Sequence, residues 1–578
     1  MAEDDLKIAP AAPAGANGLW VRRPWCLWTG LGLVIAGFIS NLVFLYHHCP
    51  FDLSEDESHY WQWSHHLAAG YYSKGPGIAL IIHAAVVVGH SLGYKHVTMP
   101  IVRTPAVIFA LISGLASLFL TRRIFRDDRA GLMVIVLSAA VPVFVVGSLL
   151  ITIDSPMYCF WALAIYALWG AVELSPQESA GHLAPARPLW LYATGALAGL
   201  GILCKPIPMF LAASVAVMML VHPLLRRRFK TWHSLGAVLA ALVIQIPTLI
   251  WNAQHHWIMF LHIGGEGGLE GKILLGAKLL HAPLTFGMYV LSQFGIAAGF
   301  VALFIVLAIV WAIRHARGAS AEHTMGDVFL LALALPLWGF YAVLSLWTKV
   351  EPNWPAAVFF PGMILAAGWA TEKWNQPSAR RRAWRGWIVV AVIWGFSLVV
   401  LAENVQRLYP VVAKITHNNR RFSPHHWDPA FRLHGMKARA EVIEAIRERM
   451  AGKGGLLPMV ITDRWDTSSS LAFYLPDRPF VFCIGSLIGG RQSQFDLWPG
   501  LNQLNPKTGK LRFLGRDAVL TGSIPWSSLK HLIYPAFDKV VQLPPQLVYY
   551  HGVVIKRMAV WECFGFKGLP KTKRDQTF

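Results

Sequence analysis

Eleven stretches of mostly apolar residues, near 27–46, 101–121, 130–150, 156–173, 189–204, 206–222, 233–250, 292–313, 327–346, 355–370 and 386–403, interrupt the first 404 residues of this chain. Each approaches the roughly 20 residues that carry a helix across the hydrocarbon of a bilayer. Only a helix or a closed barrel satisfies its own backbone there, and apolar runs of this length are helices. The chain of 578 residues has 55% hydrophobic and only 14% charged residues, a balance that excludes an ordinary soluble domain. The expected fold class is therefore a polytopic α-helical membrane protein of about eleven spans, range nine to thirteen.

The first stretch follows Arg22 and Arg23 but is long for a signal-peptide core. It has no small-residue cleavage site before His47, His48 and Cys49, so it reads as a retained signal anchor. Basic loops stay on the cytoplasmic side. With the amino terminus inside, Lys and Arg up to Asn404 divide 19 inside to 7 outside, the outer loops holding Lys74, Lys95, Arg103, Lys205, Lys272, Lys278 and Lys349. The inner set is Lys7, Arg22, Arg23, the RRIFRDDR turn, Arg187, RRRFK, Arg314, Arg317 and the run from Lys373 to Arg385. An odd number of spans then places everything after Asn404 on the outer face of the membrane. The net charge of +20 lies largely in these inner loops, so insertion bias accounts for it and no nucleic-acid partner is expected.

Composition changes near residue 404, dividing the chain into a membrane unit, 1–404, and an outer-face α/β domain, 405–578. In the second part EVIEAIRERM has helical spacing, while PMVITD and PFVFCIG read as buried strands. GVVIKRMAVWECFGF at 552–566 reads as a last strand or hairpin, and no phosphate-binding glycine motif opens a helix. Among six cysteines there is no CxxC spacing, and a Cys483–Cys563 bridge is chemically permitted on the outer face. Within the membrane unit three outer segments exceed a turn. These are 47–100, with GIALIIHAAVVVGHSLG expected to lie along the interface; 251–291, with the turn-rich GGEGGLEG and an amphipathic run; and WTKVEPNWPAA.

Ionisable residues at membrane depth are costly, so they are functional candidates by default. Here Glu55, Asp56 and Glu57 follow the first span, Lys74 lies farther along the same loop, and Asp154 sits between the third and fourth stretches. Lys205 and Glu351 also fall at outer ends, so topology gathers carboxylates and amines on one face. Adding a sugar to a hydroxyl while a lipid phosphate leaves needs a base for the acceptor and cations for the phosphate. A lysine ammonium suits the second task as a compact point charge. Simpler readings stand beside each. Asp56 and Asp154 are placed to cap helices, Lys205 before Pro206 to snorkel, and Glu351 and Asn353 to shape the EPNWP loop. His255, His256 and His262 suggest a metal, but their spacing matches no strong motif and no cofactor is expected. Trp251, Trp257 and Trp354 belong to an interfacial belt or stack on sugar faces.

At these residues the sequence resembles the protein O-mannosyltransferase superfamily of GT-C glycosyltransferases. The likeness is strongest to its bacterial branch, which includes the aminoarabinose transferase acting on lipid A. DESHY at 56–60 is similar to the acidic start of that family's first outer loop, KGP at 74–76 to its lysine element, and IDSP at 153–156 to its second acidic turn. WNAQHHW and KVEPNWPA resemble later signatures of the bacterial branch, and TDRWDTSSSLAFYLPDRP to RQSQFDLWPG resembles carboxy-terminal segments of some members. The resemblance implies a GT-C fold and a metal-independent, inverting transfer from a polyprenyl-phosphate sugar donor to a lipid, glycan or protein acceptor. Asp56 would be the leading catalytic carboxylate, with Asp154 as partner and Glu57 beside it. Lys74 and Lys205 would meet the donor phosphate. Tyr60, Trp251, Asn252, His255, His256, Glu351 and Asn353 would line the substrate site. Gly75 and Ile153 depart from the family's usual proline and threonine. A transporter or flippase for lipid-linked sugars also keeps acids and lysines in a membrane cavity, but near mid-bilayer between repeats. A docking subunit would not need the clustered turns.

Overall fold

The computed structural model describes residues 20–175, 178, 184–266, 275–318, 321–376, 379–417 and 420–570. Lys7 and Lys272 of the charge count, and the second half of GGEGGLEG, lie outside them. The chain forms two compact units. One comprises Met1–Phe44, Ala106–Leu249 and Gly264–Val400; the other comprises Leu45–Pro105, Ile250–Ile263 and Leu401–Phe578. Segments of the expected membrane unit, 45–105 and 250–263, thus group with the carboxy-terminal region.

The first unit is helical. Among the described residues seven helices of the chain are long and apolar enough to cross a membrane, and the chain is a multi-pass membrane protein. Each of the eleven apolar stretches falls on a helix or a pair of helices. Two of them are broken. The stretch at 130–150 is two helices, Asp128–Ser138 and Pro142–Leu149, bent by 74° where Pro142 cannot continue the first one. The stretch at 292–313 is divided by a turn with Ala298 and Gly299 at positive φ, between helices Leu275–Ile296 and Phe300–Gly318. The expected outer segment 251–291 is therefore largely helical, because its amphipathic run continues into a long apolar helix.

Helix Phe359–Trp374 is buried from Phe359 through Thr371 and forms the centre of this unit. Trp161 on the similarly buried helix Asp154–Val172 donates its indole N–H to the Ala357 carbonyl at 3.1 Å, at the start of that central segment. Small residues let the backbones close in, as is usual between membrane helices. A Cβ at Gly195 would stand 2.0 Å from the Ala237 carbonyl oxygen, so helix Pro188–Ile202 packs on Trp232–Gln254 only with glycine there.

The second unit is built on a five-stranded sheet. Its strands are β1 (Met459–Thr462), β2 (Phe482–Cys483), β3 (Ala518–Thr521), β4 (Phe537–Gln542) and β7 (Val560–Phe566), in the order β2-β1-β3-β7-β4. β2, β1 and β3 run parallel, with β7 antiparallel between β3 and β4. Strands β5 (Gln546–Tyr550) and β6 (Val553–Met558) make a separate hairpin. The stretch 552–566 is thus two strands in two sheets. EVIEAIRERM forms most of helix Met436–Ala451, and helix Trp465–Tyr474 follows β1. An apolar core of Ile461, Leu520, Ile533, Phe537, Trp561 and Phe566 fills the sheet, each at most 3% exposed. Cys483 on β2 and Cys563 on β7 are free thiols. Two strands lie between theirs, about 14 Å at the usual interstrand spacing, beyond the reach of a disulfide.

Candidate active site

In the helical unit three candidates meet. Asp154 is the first residue of helix Asp154–Val172, Lys205 lies between helices Pro188–Ile202 and Ile207–Met209, and Asn353 lies before the segment Ala356–Val358. Lys205 Nζ reaches Asp154 Oδ1 at 2.6 Å, and Asn353 Nδ2 donates to Asp154 Oδ2 at 2.7 Å. Both carboxylate oxygens are occupied, so Asp154 makes no side-chain cap to its own helix. It fixes the position of an ammonium instead. The lysine and carboxylate side chains are only 10% and 12% exposed, which makes their attraction stronger than that of a solvated pair. Glu351 does not join them; it is exposed and pairs with Lys349 at 2.9 Å.

The other unit holds the acidic loop. Ser54 caps helix Glu55–Trp63 in a capping box, accepting from Glu57 N while the Glu57 carboxylate accepts from Ser54 N. Asp56 is therefore not the cap, and its side chain is exposed. Glu57 points the other way. Its carboxylate accepts from Arg103 Nε at 2.8 Å and Nη2 at 2.6 Å, with both side chains fully buried, while Arg103 also donates to the Asp52 carbonyl. Arg103 is the residue that sequence reasoning missed, having been counted only as a loop cation. The signal was present: it is an arginine, the one charged residue, inside the mostly apolar MPIVRTPAVIF.

Burial raises the Glu55 carboxyl above the usual range, aided by Asp466 and opposed by Arg432, Arg439 and Arg464. One turn on, His59 is buried and held neutral, its pKa pushed down to about 3 by loss of solvent. Trp63 Nε1 donates to His59 Nε2 at 3.1 Å, which leaves the ring proton on Nδ1 to meet Ser469 Oγ at 2.8 Å. This histidine ties the acidic helix to helix Trp465–Tyr474. Tyr60 is 5% exposed and packs on Trp63 at 5.1 Å. Lys74 sits in a turn closed by Tyr71 N to the Lys74 carbonyl at 3.1 Å, with Tyr71 stacked on Trp63 at 4.3 Å.

WNAQHHW holds a turn between two helices. His256 and Trp257 adopt positive φ, and Trp257 N bonds back to the Asn252 carbonyl at 2.8 Å, ending one helix before Ile258–Glu266 begins. Asn252 is buried, and His255 stacks on Trp251 at 4.0 Å. Trp251 in turn packs over Gly70, where a Cβ would stand 2.5 Å from the indole. Among the described residues no group of three or more His, Cys, Asp or Glu side chains is arranged to hold a metal ion.

The family model for dolichyl-phosphate-mannose-protein mannosyltransferases matches residues 73–251. The lipid A galacturonosyltransferase of Rhizobium johnstonii is 27% identical over 347 residues, 60% of this chain and 66% of that protein. The undecaprenyl phosphate-α-4-amino-4-deoxy-L-arabinose arabinosyl transferase of Pseudomonas aeruginosa is 26% identical over 392 residues, 58% of this chain and 67% of that protein. The chain thus spans about two thirds of the length of these relatives. ArnT of Cupriavidus metallidurans, solved without ligand and bound to undecaprenyl phosphate, is 16% identical over 93% of this chain and 98% of its own, with TM-scores of 0.55 and 0.56. The fold is shared with ArnT, and the resemblance of this chain to the bacterial branch of the protein O-mannosyltransferase superfamily of GT-C glycosyltransferases is borne out.

Proposed function

We propose that this chain is a membrane glycosyltransferase that moves a sugar from a polyprenyl-phosphate donor to a lipid, glycan or protein acceptor. The observation that carries the reading is the buried Lys205–Asp154 pair, joined at its rim by Asn353. All three residues stand at breaks between helices, where a lysine ammonium fixed by a carboxylate is a pre-oriented N–H donor for a phosphate oxygen. A transporter of lipid-linked sugars would be expected to keep such a group in mid-membrane between repeats.

In the reaction the acceptor oxygen attacks the anomeric carbon, the bond from that carbon to the phosphate oxygen breaks, and polyprenyl phosphate leaves with inversion. Lys74 and Lys205 neutralise the leaving phosphate, and Asp154 and Asn353 hold Lys205. Asp56 takes the acceptor's proton, or orients the acceptor where it is already a phosphate anion. Glu57, engaged with Arg103, supports the turn that presents Asp56. Tyr60, Trp251, Asn252, His255, His256 and Glu351 are assigned to substrate surroundings. No metal ion or cofactor takes part. The amino terminus lies in the cytoplasm of a bacterium, the reaction occurs on the outer face of its inner membrane, and 405–578 is an outer-face domain, as the distribution of Lys and Arg supports.

Purified protein in lipid nanodiscs, given labelled undecaprenyl-phosphate aminoarabinose or galacturonic acid with lipid A, is expected to transfer label from carrier to acceptor. Folded protein that leaves the label on the carrier, with these and with glycan and protein acceptors, refutes the reading. Single cysteines near Asp56, Asp154 and Glu351 should react with an impermeant reagent from outside; labelling only from the cytoplasm overturns the orientation.

A further inference from the structure

The second unit contains a cavity of about 660 Å³ at the end of the sheet where β1, β2 and β3 begin. That volume lies within the roughly 300–1,000 Å³ of small-molecule sites. Its wall carries aromatic rings. Phe480 meets Phe482 at 5.1 Å and Trp498 at 6.0 Å, and Phe482 meets Phe513 at 5.1 Å, all edge to face. Phe480, Trp498 and Phe513 are only partly buried, so ring surface remains open to the cavity.

Its polar groups are mostly cationic. Arg447 is already neutralised by Asp477 at 2.8 Å and Glu444 at 2.6 Å, but among the described residues no carboxylate pairs with Arg512 or Arg516. Arg516 is held in place by its bond to the Leu457 carbonyl at 2.9 Å, and Arg512 lies exposed over the Phe513 ring at 5.7 Å. The adjoining turn, closed by Asn505 N to the Lys510 carbonyl at 2.8 Å, adds exposed Lys507 and Lys510. A planar guanidinium binds carboxylate or phosphate through two parallel N–H donors. The negative face of an aromatic ring accepts the polarised C–H groups on the apolar side of a sugar.

We propose that this cavity binds an anionic saccharide, a sugar ring bearing phosphate or carboxylate, stacked on Trp498 and Phe480 with its anion on Arg512 and Arg516. In a transferase the occupant is the sugar of the acceptor. That purpose rests on the function proposed above, whereas binding itself does not.

The test uses the full chain in zwitterionic nanodiscs without donor, titrated by calorimetry with glucosamine 1-phosphate, glucosamine and inorganic phosphate. Glucosamine 1-phosphate is expected to bind more tightly than either fragment. Arg512→Ala and Arg516→Ala should each weaken it about tenfold, as expected for loss of one charge-assisted bond, with Arg512→Lys intermediate. Trp498→Leu should remove the advantage over inorganic phosphate. Arg512 is exposed, so its variants keep the fold even if Trp498→Leu does not. Equal affinity for inorganic phosphate and glucosamine 1-phosphate refutes a saccharide site, and binding unchanged in both arginine variants refutes its location. Because no transfer is measured, failure here leaves the proposed function intact, and failure of that function leaves binding measurable.

Discussion

Asp56 and Glu57 are neighbours in one helical turn with opposite surroundings, so one conservative substitution at each separates chemistry from architecture. Glu57→Gln keeps the side-chain shape but removes the charge facing a fully buried guanidinium, and it turns an amide donor towards the Arg103 and Ser54 donors. Breaking a buried ion pair in this way costs about 3–5 kcal/mol. That is a large share of a typical stability of about 5–15 kcal/mol. Replacing both partners, Glu57→Leu with Arg103→Met, should recover part of the loss because no unpaired charge remains. Asp56→Asn touches none of this. Ser54 supplies the cap and Asp56 is exposed, so the unfolding temperature should hardly move. If Asp56 is the base, turnover should fall by about 10²–10⁴. Thermal unfolding and transfer of labelled sugar, measured on the same nanodisc samples, read both quantities. A Glu57→Gln protein with unchanged unfolding temperature would refute the structural assignment of the pair. Near-normal turnover by Asp56→Asn would refute the base.

Acid should loosen the unit that holds His59. Its folded pKa of about 3 lies below the unfolded value of about 6.5, so stability is complete above about pH 6.5 and is lost as pH falls towards 3, by up to about 1.4 kcal/mol per pH unit. Asp52 and Glu55, raised by burial, act in the opposite sense. His59→Gln should therefore flatten the acid limb of unfolding temperature against pH, and parallel limbs would exclude the histidine. Lys205→Met should weaken donor binding, and the Lys74→Met, Lys205→Met double variant should weaken it further; unchanged donor affinity in the double variant rejects the phosphate clamp. Denatured, unreduced protein should take up alkylating reagent at both Cys483 and Cys563, and an intact mass showing two protected thiols would contradict the strand order.

Much of the architecture was legible because it follows from local rules. Apolar length marked all eleven helical stretches, and composition marked the start of the sheet region. What escaped was where such a stretch breaks. Pro142 divides one, while a turn at positive φ divides another where the sequence offers only Ala298 and Gly299. The division into compact units was not legible either, since 45–105 and 250–263 join residues after 401 through contacts distant in sequence. Asp52, for example, caps helix Met436–Ala451 by accepting from Met436 N at 2.7 Å.

The sequence by itself determined which residues had to be explained: carboxylates and lysines beside apolar helices are too costly to be there without a partner or a task. It could not say which of those two applied. Asp56 and Glu57 are adjacent acids with the same local propensities, and Arg103, 46 residues beyond Glu57, settles their difference by occupying the Glu57 carboxylate. Asp154, Lys205 and Asn353 are likewise separated by 51 and 199 residues from Asp154, and only the packing of their helices brings them within hydrogen-bond distance. Charge and hydropathy are properties of the chain, whereas pairing depends on which backbone segments approach, and that was decided by tertiary packing alone.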